Sequence, residues 1–145
     1  MNSANPVNPL RLQAYREANA TELTDSPLYI HILTDLIPSL RTQLETLASR
    51  HGLRAFVFAT ISCPASARFD RPDLTYVCHS DDPYKASYIA AATGFPEITV
   101  PVDRVAAHVP VGYSFLGLSY TESTLLSLAF AFQSALPRLP PPTLD

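Results

Sequence analysis

Lysine occurs once in this sequence, at Lys85; tryptophan is absent, and glycine appears four times in 145 residues. One lysine and a formal net charge of −3 leave no basic stripe of the kind that nucleic acid or an anionic membrane surface requires. The four glycines, Gly52, Gly94, Gly112 and Gly117, are scattered. They cannot form a phosphate-cradling loop, and each has a turn or strand explanation. No stretch approaches the ~18 apolar residues of a membrane span, and the opening MNSANPVNPLRLQAYRE lacks the apolar centre of a secretory signal. The expected location is therefore the cytoplasm. The two cysteines, Cys63 and Cys78, stand at no motif spacing. Without a secretory signal they are expected as reduced, half-buried thiols rather than a disulfide.

What the sequence does contain is a globular composition on the greasy side, with 47% hydrophobic and 16% charged residues. A chain of this length makes one domain and hides roughly 70% of the surface that its unfolded form exposes. Residues 1–8 read as a flexible leader, 9–136 as the domain, and 137–145 as a proline-rich tail. Asn8-Pro9 sets a polar cap and a first-turn proline before a helix that ends near Asn19 to Thr21. Ser26-Pro27 repeats the signal for a longer helix closing at Gly52. Along it Leu33, Leu36, Ile37, Leu40, Leu44 and Leu47 recur at steps of three and four, and Pro38 is expected to kink or split it. Leu53–Ala59 reads as a strand buried on both faces, of the parallel-sheet type. Residues 60–80 form a long loop, and Asp82-Pro83 caps a helix through Thr93. Gly94 and Pro96 end that helix and release the β-forming run Ile98-Thr99-Val100. Val111–Leu118 alternates as a strand. A last apolar helix follows, capped by Ser119 in a capping box or by Thr121, and runs to about Ala135. The order predicts an α/β fold with about three strands flanked by helices.

Few residues invite chemistry. Cys78-His79-Ser80-Asp81-Asp82 gathers a thiol, an imidazole and two carboxylates, but adjacent ligands point apart, and no second cluster completes a metal site. It reads as a polar loop whose Asp82 caps a helix. A Cys/His hydrolase would take Cys63 as nucleophile and His31, His51, His79 or His108 as base, and nothing selects among these pairs. His51 beside Gly52 is explained by a helix C-terminus. Lys85, near Ser80 and Ser87, lacks the desolvated setting of a lysine base and reads as a surface side chain. Tyr76, Tyr84 and Tyr88 fit either a core edge or a pocket lining. No cofactor and no metal are expected.

Four stretches, in order and in register over roughly residues 40–140, resemble the C-terminal end of the amidase signature family. Ala92–Pro101 (ATGFPEITVP) is similar to its A-G-x-P-x-[IL]-[ST]-[VL]-P segment, and Pro110–Gly117 (PVGYSFLG) to its P-V-G-[LIV]-x-[FL]-[LIVM]-G strand. Tyr120–Leu126 followed by Leu128–Gln133 resembles the W-[SD]-E-x-x-L-L start of the last helix and its continuation. His51–Thr60 is similar to the G-[LM]-D-A-[LF]-[VL]-x-P-T strand, with Ala59 where the family has proline and Ile61 where a second threonine or proline is common.

The resemblance implies a partial amidase-like mixed sheet and, by descent, hydrolysis of carboxamide carbon–nitrogen bonds. In the family a serine nucleophile works with a second serine and a lysine, and a Gly/Ser-rich loop forms the oxyanion hole. None of these matches a residue here: the sequence has no Gly-Gly or Ser-Ser pair, and Lys85 falls after the strand near Val57. The expectation is a truncated amidase-family chain, inactive alone, with no catalytic residue of its own. The family's pocket borders the loop after this strand, which makes Thr60, Ile61, Ser62 and Cys63 the candidate pocket rim. The alternative is a binding or regulatory module that docks onto a full-length amidase or another protein through an open sheet edge. No nucleic-acid or membrane partner is expected.

Overall fold

The computed structural model describes residues 9–20, 26–63, 77–79, 84–105 and 109–137. It divides into two compact units, 1–39 and 40–145, with the division falling inside the long helix. The leader, the 64–76 part of the loop, Asp82-Pro83, His108 and the tail from 138 onward lie outside the described residues.

In the first unit, helix α1 is Pro9–Ala20 and helix α2 is Pro27–His31, with Ser26 extended (φ −67°, ψ 127°) and Pro27 opening the first turn. A π-helical turn, Ile32–Leu36, follows, and helix α3 takes over at Ile37 and continues to His51. The Ile37 N–H reaches back five residues to the Ile32 carbonyl. The physical cause is Pro38, which has no N–H to give Thr34 and whose ring crowds that turn; the helix relaxes by widening there rather than breaking. Leu33 and Leu36 are about half exposed, so the periodic stripe is only partly used for packing in this chain. On α2 and the π turn, His31 Nδ1 and Asp35 Oδ2 lie 3.1 Å apart. The Thr34 hydroxyl first, and His31 second, hold the Asp35 carboxyl below its ordinary value.

The second unit holds the sheet. Helix α3 ends in a Schellman motif: Gly52 adopts φ +61°, Leu53 N–H bonds the Ala48 carbonyl at 2.9 Å, and Gly52 N–H bonds that of Ser49 at 3.3 Å. Strand β1 is Phe56–Ala59, helix α4 is Tyr88–Thr93, strand β2 is Glu97–Val105, strand β3 is Val109–Leu116 and helix α5 is Glu122–Ala135. The strand order is β1-β3-β2, with both pairings antiparallel. The α/β class and the three strands stand as read from the sequence. The parallel, doubly buried reading of Leu53–Ala59 does not. β1 is a short edge strand, half-buried at Phe56 and Phe58 and exposed at Val57 and Ala59. Val57 pairs with Phe115 and so lies on the face that α5 covers. Because α5 packs on β2 and β3, Val57 stays 55% exposed.

The core lies between that face and α5. Val100, Phe115, Leu125 and Ala129 are buried together, with Ile98, Leu128 and Phe132 packed around them. Leu125, Leu128, Ala129 and Phe132 fall at helical steps of three and four, giving α5 one inward stripe. Phe132 sets its ring edge-on to Phe115 at 5.2 Å and to Tyr113 at 6.4 Å. Thr121 occupies the cap position of α5 but donates to the Leu118 carbonyl at 2.7 Å and caps nothing with its side chain. The expected capping box is absent.

The joint ATGFPEITV is built by three devices. Gly94 takes φ +68° and its N–H bonds the Ala90 carbonyl at 2.8 Å, an αL stop. The buried Thr93 hydroxyl donates to Ile89 and accepts from Phe95 N–H. Arg41 on α3 donates its Nε–H to the Thr93 carbonyl at 2.6 Å, placing a cation at the negative end of the helix. β2 then runs past Pro101, which an edge strand tolerates, and takes a register shift between Pro101 and Asp103.

Candidate functional site

The opposite face of the sheet carries Phe56, Phe58 and Leu116 at one end and small or hydroxylated residues, Ser114, Thr99 and Gly112, toward the other. Along β3, Gly112 and Ser114 alternate with Tyr113 and Phe115. Ser114 faces Thr99 across the β2–β3 ladder, and Pro101 faces Gly112. β1 ends by bonding Thr60 N–H to the Gly112 carbonyl at 3.0 Å, which brings Thr60 beside the same glycine. Ser114 is fully buried. Its hydroxyl lies 2.8 Å from that of Thr60 and 3.0 Å from that of Thr99, making a chain of three hydroxyls across three strands.

Gly112 lets β2 lie close against β3 beside this chain. A Cβ placed there would sit 2.8 Å from the Thr99 methyl and 3.0 Å from the Val100 carbonyl oxygen. A mainly apolar cavity of about 280 Å³ adjoins these residues. Thr60, Ile61 and Cys63 contribute from the end of β1, Thr99 and Pro101 from β2, and Pro110, Val111 and Gly112 from β3. Among the described lining residues none carries a titratable side chain, because Cys63 is joined to Cys78 in a disulfide, with Cα atoms 5.6 Å apart.

That disulfide corrects the expectation of two reduced thiols. The intervening loop returns Cys78 to Cys63, well inside the Cα separation a disulfide needs. Sequence spacing could not show this, since proximity across a loop is a tertiary fact. It also removes the Cys63 thiol from any Cys/His scheme. Among the described histidines, His51 ends α3 and His79 is exposed beside Cys78. Lys85 is exposed in the turn before α4. Tyr84 and Tyr88 are about half exposed and do not line the cavity. Among the described residues, no three His, Cys, Asp or Glu side chains converge as a metal site.

No protein-family model matches the chain. A stretch of 56 residues, 38% of this chain, is 45% identical to a probable amidase of Arabidopsis thaliana and spans 11% of that protein. The fold matches the native peptide amidase of Stenotrophomonas maltophilia with a TM-score of 0.64 and 25% identity, over 92% of this chain and 25% of that one. It also matches the peptide amidase PAM in complex with the competitive inhibitor chymostatin, at a TM-score of 0.56 and 26% identity, over 84% and 23% of the two chains. The chain is related to the amidase signature enzymes.

This amidase-related chain thus spans about a quarter of the length of the solved structures it matches. Of the four residues read from sequence as a pocket rim, Thr60, Ile61 and Cys63 line one cavity, and Ser62 is exposed and not part of its lining. Sequence reasoning missed Thr99, Ser114 and Gly112, which it used only as strand formers. Their signal was present as a second alternation: Thr99 between Ile98 and Val100, and Gly112 and Ser114 between larger side chains, place these three on the face away from α5.

Proposed function

We propose that this chain forms a wall of an amidase-type substrate site, holding a carboxamide-bearing ligand in the cavity above Gly112 while supplying no nucleophile of its own. One observation carries the reading: the mainly apolar cavity beside the hydroxyls of Thr60, Ser114 and Thr99, of which Ser114 is fully buried, within a fold similar to peptide amidases over most of this chain. A largely apolar cavity with a few polar groups is the usual form of a small-molecule site. Hydrolysis additionally needs an activated hydroxyl and a proton acceptor, and this sequence's one lysine, Lys85, is exposed in a turn.

The test is ammonia release from peptide amides and small carboxamides by the highly purified chain. The expected result is a rate equal to the buffer blank, unchanged by Cys63→Ala or His79→Ala. Release proportional to the amount of this chain, and persisting through further purification, would overturn the reading.

The exposed apolar surface favours a second reading, a binding module for a full-length amidase. β1 and β2 each have one strand neighbour among the described strands, and Leu126 and Phe130 on the outer side of α5 are 60% and 73% exposed. Co-elution with such an amidase and a changed turnover rate would support it; independent elution of the two proteins would count against it.

A further inference from the structure

We infer that Cys63–Cys78 is a thiol-exchange site, in which Cys78 takes up an incoming small thiol and Cys63 is the resolving sulfur held in the cavity wall. This goes beyond the amidase reading and does not rest on it.

The two cysteines sit in different surroundings. Cys63 follows the end of β1, lines the cavity and is 7% exposed. Cys78 is half-buried, and its neighbours Val77 and His79 are both exposed. A thiolate opens a disulfide by attacking one of its sulfurs, so access decides which sulfur is attacked. Of the two, Cys78 presents the surface for that approach, and Cys63 is shielded by the residues packed around it.

In the forward step the incoming thiolate bonds to Cys78 Sγ and the Cys63–Cys78 bond breaks. Its electron pair leaves on Cys63 Sγ, which takes a proton from water. One disulfide replaces another, so the step has no net oxidation or reduction: the products are a mixed disulfide on Cys78 and a thiol on Cys63. A mainly apolar wall solvates the departing thiolate poorly, which makes the step slow beside exchange at an exposed disulfide. In the reverse step Cys63 attacks Cys78 Sγ, expels the small thiol and restores the cross-link. With thiol in excess, a second thiolate instead attacks the sulfur of the bound small thiol. That completes a two-electron reduction, leaving two cysteine thiols and the disulfide of the small thiol.

The exchange is felt at the cavity. Ile61 and Cys63 share its lining, and Thr60 N–H fixes the end of β1 to the Gly112 carbonyl at 3.0 Å. While the bond stands, residue 78 is covalently tied to this wall; after exchange that tie is gone.

The test treats the full chain, purified without reductant, with glutathione under native conditions and maps the adduct by peptide mass spectrometry. Adduct on Cys78 is expected to exceed adduct on Cys63 by about tenfold or more. Equal adducts, an adduct chiefly on Cys63, exchange only in denaturant, or two free thiols before glutathione is added would each overturn the assignment. Cys63→Ser and Cys78→Ser both lack the cross-link, so their comparison separates access from stability. Relative to its own rate in denaturant, the thiol left in Cys63→Ser is expected to react with iodoacetamide about tenfold faster than the thiol left in Cys78→Ser. Equal relative rates count against the proposal. Amide NMR shifts at Ile61 and Gly112 are expected to differ between the oxidised and reduced chain; unchanged shifts would overturn the link to the cavity. The ammonia-release assay bears on the amidase reading alone.

Discussion

Gly112 is where one missing carbon atom lets two strands meet closely. Its backbone is ordinary strand, so its value is space rather than conformational freedom. In Gly112→Ala the new methyl meets the Thr99 methyl and, at 3.0 Å, the Val100 carbonyl oxygen, which belongs to the paired backbone and cannot swing away. A destabilisation of about 1–3 kcal/mol is expected in urea denaturation, because overpacking is relieved only by moving β2. Tyr120 presents the opposite case. It is 93% exposed and holds φ +61°, a left-handed conformation unfavourable for a bulky residue. Tyr120→Gly is expected to raise stability by roughly 0.5–1 kcal/mol, the relieved strain outweighing the extra freedom of the unfolded glycine. A lower melting temperature would show that the tyrosine makes contacts worth more than its strain.

At the level of elements, the second unit is tied together by side chains that reach between neighbours. Arg41 joins α3 to the end of α4, Phe132 joins α5 to β3, and the disulfide joins the end of β1 to residue 78. The disulfide closes a loop of sequence separation 15. Closure of a loop that long stabilises by about 3 kcal/mol, chiefly by restricting the unfolded chain. Reduction, or the double change Cys63→Ser and Cys78→Ser, is expected to lower the unfolding free energy by about that amount in denaturant titrations with and without reductant. Since Cys63 lines the cavity, the redox state of the surroundings also bears on one wall of the site. Identical midpoints in both conditions would mean that the cross-link does not form in solution.

For the whole molecule, the decisive quantity is the machinery of amide hydrolysis set against what these 145 residues hold. A single oxyanion-hole donor accounts for about 3–4 kcal/mol of barrier, and an activated nucleophile for more. A fully buried serine hydroxyl in contact only with two threonine hydroxyls has no proton acceptor of the kind that activates a nucleophile, and Lys85 is exposed in a turn. The expected blank rate in the ammonia assay therefore follows from the whole inventory rather than from one residue. Large apolar side chains remain outside the core, among them Phe130 and Val57. They are the surface on which the second, partner-binding reading rests.

Much of this architecture was written in local chemistry. Proline at the first turns of α1 and α2, glycine at the ends of α3 and α4, and the spacing of leucines on α5 each act over four or five residues, so the element order was legible directly. The family resemblance was legible for the same reason, being carried by short motifs in register. Other features depended on residues that meet only after folding. The edge position of β1, the Cys63–Cys78 bond and the meeting of Thr60, Thr99 and Ser114 join positions 15 to 60 residues apart. Periodicity reports which face a side chain takes, but not which strand will lie beside it. Local sequence thus determined the elements and the kinship; the pairing of three antiparallel strands decided where there would be a cavity and which hydroxyls would line it.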